Sequence, residues 1–275
     1  MRRILLVCAV AATAHGAPVD RGIFSDLDAA VPIEVAAPAR DGAARLLVDE
    51  PRGLATLYVG GDPIALYAYP LSAGVRAQLQ ARAVTEVRGA PARGEDRDGD
   101  GIVDRLDILR GAKKLLVNKA AYRERYVGLR YPGGDVPRTE GVCTDTVVRA
   151  LRNAGIDLQR EVHEDLVAAR RAYPMVDKVD PNINHRRVKT LIAWFKRHFT
   201  TLPAGGDYQP GDIVFFDTFP QKAGAEHVGV VSDRRDRAGQ LLVINNWTDG
   251  AVDAEMALLG AIPVTDHFRA GAPAR

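Results

Sequence analysis

The sequence predicts an α+β fold in which a cysteine-bearing helix packs on an antiparallel sheet carrying a histidine. A small β-rich segment and an aspartate-rich loop precede it. Three observations carry this reading. Thr146 to Ala154 places Val147, Val148, Leu151 and Ala154 on one helical face, Gly155 closes it, and Cys143 falls in its first turn. Downstream, Ile213–Phe216, His227–Asp233 and Leu241–Trp247 are apolar runs separated by turn residues, the pattern of an antiparallel meander. Upstream, aspartates recur at alternate positions from Asp96 to Asp100 and again at Asp104 and Asp107.

Taken in order, the chain opens with the features of a secretory signal over residues 1–16. Met1-Arg2-Arg3 is positively charged, and Ile4 to Ala14 is apolar yet too short to span a bilayer. Ala14-His15-Gly16 presents small residues where a signal peptidase reads. Val7 before Cys8 argues against a lipoprotein signal. The expected location is therefore periplasmic or secreted. Cleavage removes Cys8 and leaves Cys143 as the sole cysteine in an oxidising compartment. A lone thiol there is a reactive group, an intermolecular disulfide partner or an inert core residue, and its neighbours must decide.

Composition bounds the rest. With 275 residues and 47% apolar content, the chain holds one large domain, or a catalytic domain with a small companion. The formal net charge of +2 falls to zero once Arg2 and Arg3 leave with the signal, so nothing draws the protein to nucleic acid or an anionic membrane. No later run is long enough for a transmembrane helix, and the chain reads as a monomer.

Residues 17–93 read as the β-rich segment. Ala44–Asp49, Leu54–Val59 and Ile64–Pro70 alternate with turns at Pro51-Arg52-Gly53 and Gly60-Gly61-Asp62-Pro63. Ala90 to Gly94 reads as a linker. The next stretch, residues 94–107, matches an EF-hand-like loop: Asp96, Asp98, Asp100, Asp104 and Asp107 at positions 1, 3, 5, 9 and 12, Gly101 at 6, and the Ile102 carbonyl at 7. Aspartate stands at position 12 where glutamate is usual, as in extracellular modules such as dockerin, which the loop resembles. A solvated acidic turn is the plain alternative. The expected cofactor is one structural Ca²⁺, with no organic cofactor. A helix from Leu106 to about Tyr122 follows, with Gly111 as its weak point, and residues 108–275 form the expected catalytic domain.

The chemistry centres on Cys143. A helix N-terminus favours a thiolate and offers N–H groups to an oxyanion, whereas Asp145 in the same turn opposes the thiolate, so a nearby base is needed. His163, His198 and His267 read as surface or packing residues, and His185 as a loop residue able to join a cleft. His227 opens the middle strand of the meander, and the next strand ends in Asn245-Asn246. Alternation puts these two amides on opposite faces, so one of them serves as orienting residue and the other does not. A helix-borne cysteine, a sheet-borne histidine and an asparagine make a nucleophile, a base and an orienter.

Gln209-Pro210-Gly211-Asp212-Ile213-Val214-Phe215-Phe216, His227-Val228-Gly229-Val230-Val231 and Val243-Ile244-Asn245 resemble the strand motifs of NlpC-type papain-like cysteine peptidases. More closely, Tyr131-Pro132-Gly133-Gly134-Asp135-Val136-Pro137-Arg138, Gly141-Val142-Cys143-Thr144-Asp145, Gly155 to Gln159 and Pro181 to Val188 are similar to domain-of-unknown-function family 1287. The likeness runs from about Tyr126 to Phe268. It implies Cys143 as nucleophile, His227 as base, Asn245 as third residue with Asn246 as rival, and Tyr131 as the loop tyrosine assisting the oxyanion. The chain departs from NlpC-type enzymes in having Val142-Cys143-Thr144 for Asp-Cys-Ser and asparagine where the third residue is commonly histidine.

These readings lead to an exported cysteine hydrolase acting on an amide bond, with peptide stems of the cell wall as substrate. The alternative is a non-catalytic, calcium-stabilised envelope-binding module.

Overall fold

The computed structural model describes Phe24 and residues 26–27, 42–88, 96–219 and 224–271. The expected signal and the Ala90–Gly94 linker lie outside the described residues. The fold is α+β.

The first unit is a four-stranded sheet. Strands β1 (Ala44–Asp49), β2 (Leu54–Val59) and β3 (Asp62–Ala68) form the expected antiparallel meander. Helix α1 (Ala73–Ala81) then carries the chain to β4 (Thr85–Arg88), which pairs parallel to β1, giving the order β3-β2-β1-β4. Ser72 starts α1 by accepting the Val75 N–H at 3.3 Å. Val75 and Leu79 bury that helix's apolar stripe in the same core as Leu46, Val48 and Leu57.

Helix α2 (Asp104–Asn118) leads into the larger unit. It starts earlier and ends sooner than its apolar spacing predicts, because Lys119 takes a left-handed conformation (φ 55°) and its N–H caps Leu115. The chain then enters β5 (Ala121–Tyr122), paired in parallel with β6 (Glu140–Gly141). Three helices follow: α3 (Cys143–Asn153), α4 (Leu158–Ala168) and α5 (Val188–His198). The remaining strands are β7 (Thr200–Leu202), β8 (Ile213–Phe216), β9 (His227–Arg235), β10 (Leu241–Asn245), β11 (Ala254–Met256) and β12 (Val264–Arg269). They make an antiparallel sheet in the order β11-β10-β9-β8-β12-β7.

Both faces of this sheet are covered, which explains why β8 reads as an unbroken apolar run. Ile213 and Phe215 pack with Val147, Leu151 and Phe195 on the helical side, while Val214 and Phe216 pack with Val231, Val243 and Leu259 on the other. Helix α3 lies against β9, and α2 crosses α3 closely. Gly111 makes that crossing feasible, since a Cβ there would stand 2.6 Å from the Asn153 Cβ and 2.7 Å from the Ala150 carbonyl. The residue that looks weak for a helix is the one the helix contact requires. No helix among the described residues is long and apolar enough to cross a membrane.

Candidate active site

Cys143 opens α3 because the chain passes from extended Val142 (φ −127°, ψ 179°) directly into helix. One turn in, Asp145 reaches back, and its Oδ2 accepts the Val142 N–H at 2.8 Å. The same carboxylate receives Arg186 Nε at 2.7 Å and Nη2 at 2.9 Å, a bidentate pair with both partners buried. Sequence reading sets Asp145 against the thiolate and among the cleft candidates. In the structure its charge is compensated by Arg186, its oxygens are engaged at the helix start, and it is not among the residues lining the cleft. Thr144 completes the join, its hydroxyl donating to the Arg186 carbonyl at 3.1 Å.

A cleft of about 880 Å³ opens over this corner, with Tyr122, Cys143, Arg186 and Glu226 among its walls. The Cys143 side chain sits at the edge of that space, and the residue is only 6% exposed. Burial pushes its thiol up to about 12; the N–H groups of Val228, Thr144 and Cys143 itself pull the other way. The Val228 contact places the sulfur against the start of β9, one residue from His227.

His227 is buried as the first residue of β9, and its Nε2 stands 3.1 Å from Asn245 Oδ1. Asn245, fully buried at the end of β10, donates Nδ2 to the Val243 carbonyl at 3.1 Å. A carbonyl accepts only, so this bond fixes which end of the amide faces His227: Oδ1, an acceptor. Nε2 therefore carries the imidazole hydrogen and Nδ1 is the basic nitrogen. Trp247 meets the His227 ring edge-on at 4.5 Å and shields the pair. Burial lowers His227 to about 4, with the Asn245 bond opposing that shift. Cys143 and His227 are thus a neutral thiol and a neutral imidazole at neutral pH.

The other candidates are sorted by place. Asn246 turns away from His227 and donates to the Ala120 carbonyl at 2.9 Å, so the structure joins Asn245, not Asn246, to His227. Tyr131 is not on the cleft walls; it stands 41% exposed, edge-on to His163 of α4 at 5.1 Å. The tyrosines on the cleft walls are Tyr122 and Tyr126; Tyr122 is pushed up to about 12 by burial and next by the charge of Cys143. Sequence reading missed Tyr122 by extending α2 through it, because a lysine at position 119 gives no sign of the left-handed stop there. His185 is buried, with no partner for Nδ1 among the described residues, while its neighbours Asn184 and Arg186 line the cleft. His267 packs inside the sheet, bonding Asp212 at 2.8 Å and so holding the Pro210-Gly211-Asp212 turn.

In the acidic loop, one carboxylate oxygen from each of Asp96, Asp98 and Asp100 lies within 4.8 Å of the others. Asp104 is outside that group: its Oδ1 accepts the Arg97 N–H at 2.7 Å, and its Oδ2 pairs with Arg97 Nε at 3.2 Å. Asp107 lies in α2, where its Oδ1 accepts from Asn153. Ile102 packs with Leu66, Val103 and Leu106.

Fold and site together define an α+β protein with a cysteine at a helix N-terminus on the cleft wall and, in the sheet that helix packs on, a histidine bonded to an asparagine. Residues 109–270 match the family described as Domain of unknown function (DUF1287), and the chain belongs to that family. It is similar to the uncharacterized protein YijF of Escherichia coli (strain K12), with 45% identity over 157 residues, covering 55% of this chain and 75% of that protein. No solved structure matches the chain. The small sheet and the acidic loop precede the matched region.

Proposed function

We propose that this protein is an exported cysteine hydrolase that cleaves an amide bond in the peptide stems of the bacterial cell wall. The observation that carries the reading is the His227–Asn245 hydrogen bond, which leaves a basic Nδ1 on a histidine one residue from the N–H that reaches the Cys143 sulfur. Its arrangement, nucleophile on a helix N-terminus and base on the facing sheet, is that of papain-like chemistry.

The reaction starts from the neutral pair. His227 Nδ1 takes the Cys143 proton as the sulfur attacks the substrate carbonyl, so charge forms only where the bond forms. The carbonyl oxygen becomes an oxyanion beside the Cys143 N–H at the positive end of α3, with the Tyr122 hydroxyl as a second donor. The intermediate collapses as protonated His227 gives its proton to the leaving amine, and a thioester remains. His227 then draws a proton from water, which attacks the thioester and returns the thiol. Asn245 holds the tautomer throughout.

The signal-like N-terminus and the Cys–His–Asn residue set support the substrate class, and the cleft walls fit it chemically. Glu124, Arg125, Lys178, Arg187 and Lys189 line it with both signs of charge, as a peptide bearing free carboxylate and amine groups requires. The deciding experiment incubates purified muropeptides with the mature protein and with Cys143→Ala, followed by mass spectrometry. Fragments from the intact protein alone support the hydrolase; no cleavage by either counts against this substrate.

A second reading, the non-catalytic envelope-binding module, draws on the burial that keeps Cys143 protonated up to about 12. Selective alkylation of Cys143 near neutral pH favours the enzyme, and an inert thiol favours the module.

A further inference from the structure

We propose that Asp96, Asp98, Asp100, the Ile102 carbonyl and Asp107 form a calcium site that braces the catalytic helix from its far end. The three loop aspartates supply the first observation, since their oxygens converge within 4.8 Å on a turn that Gly101 closes at φ 90°. Asp107 supplies an independent one. It is 1% exposed, and its Oδ2 has no hydrogen-bond partner among the described residues. Asp107 lies outside the 4.8 Å group, yet the charges of Asp100 and Asp98 bear on it, opposed by those of Arg110 and Lys114. A buried carboxylate oxygen without a partner, within the field of two more carboxylates, is a costly arrangement on its own; a hard divalent cation turns the same crowding into coordination. Calcium suits it better than magnesium, because a loop supplying many protein oxygens meets calcium's flexible demand for about six to eight ligands.

The site is built into the fold at both ends. Asp107 Oδ1 takes the Asn153 side-chain N–H at 2.5 Å, and Asn153 is the last residue of α3. The Asp107 carbonyl accepts from the same amide at 3.1 Å. Two residues beyond Asn153, a Cβ on Gly155 would stand 2.7 Å from the Asp98 Cβ. Two of the ligands therefore abut the C-terminal end of the helix whose first residue is Cys143. The loop's own Ile102 is packed with Leu66 of β3, which ties the small sheet to the same place. Calcium here would stabilise the joint between the two sheets and the orientation of α3.

The test uses the mature full chain, with Asp98→Asn and Asp107→Asn, in thermal melts and calorimetric titrations with calcium, magnesium or a chelator. We expect one calcium per chain and a Tm rise on the order of 5 °C at a hundredfold excess over Kd. Both variants should weaken calcium at least tenfold. In chelator they should melt no lower than the unaltered chain, because each removes one of the crowded charges; this separates lost metal from failed folding. Hydrogen exchange along α3 should slow when calcium is added. Equal melts with calcium and chelator, variants that bind as tightly as the original, or magnesium acting as well as calcium would each overturn the assignment. None of these readouts depends on catalysis.

Discussion

Asn245 presents Oδ1, not Nδ2, to His227, because its Nδ2 is held by the Val243 carbonyl two residues back on the same strand. The imidazole tautomer is thereby set by a strand's own backbone. On the proposed hydrolase mechanism, Asn245→Ala should lower kcat on the order of a hundredfold or more while KM changes little, because His227 would lose its orientation and the substrate none of its contacts. Asn246→Ala is the control: it removes a tether to Ala120 and should lower Tm without a comparable loss of kcat. Steady-state kinetics on a cleaved muropeptide, paired with melts, separates the two.

Arg186 and Asp145 form a buried bidentate pair that ties the Asn184–Arg186 turn to the start of α3. Arg186→Ala should cost about 3–5 kcal/mol, since it leaves the Asp145 charge buried without its partner. Arg186→Lys should recover only part of this, because an ammonium does not reproduce the two parallel bonds. Urea unfolding at neutral pH measures both.

Burial lowers His185 to about 4, against an ordinary value near 6.5. The unfolded chain therefore binds this proton first, and stability present above about pH 6.5 is lost as pH falls toward 4. His227 acts in the same direction, whereas Asp104 and Asp253, raised to about 6 by burial, act in the opposite one. The difference between the unaltered chain and His185→Gln isolates the first effect. Between pH 7 and pH 5 the unaltered chain should lose about 2 kcal/mol more than the variant. Parallel denaturation curves at the two pH values would show no such gap if His185 were solvated.

Gly111→Ala should destabilise by about 1–3 kcal/mol, although the same change in an exposed helix gains roughly 1 kcal/mol. The sign follows from the 2.6 Å approach of its virtual Cβ to Asn153. A variant that melts higher than the original would mean that α2 and α3 do not cross as closely as this.

Much of the core architecture is legible in local pattern. The three first strands, the helix behind Cys143 and the β8–β10 meander sit where apolar spacing and turn residues put them. What escapes is what carries little pattern. Strand β4 is exposed along its whole length and so shows no alternation, and its parallel pairing with β1 depends on the α1 crossover. Tyr122 escapes because a lysine, not a glycine, stops α2.

The sequence by itself determined that the first three strands and the β8–β10 meander form, and that one cysteine stands at a helix N-terminus, because those depend on neighbours a few positions apart. Only the tertiary structure decided which amide meets His227, which tyrosines line the cleft, why Gly111 is needed, and that β12 enters between β7 and β8. Each of those rests on contacts between residues far apart in the chain, and their geometry is set by how the sheet and helices pack together. No spacing along the sequence records it.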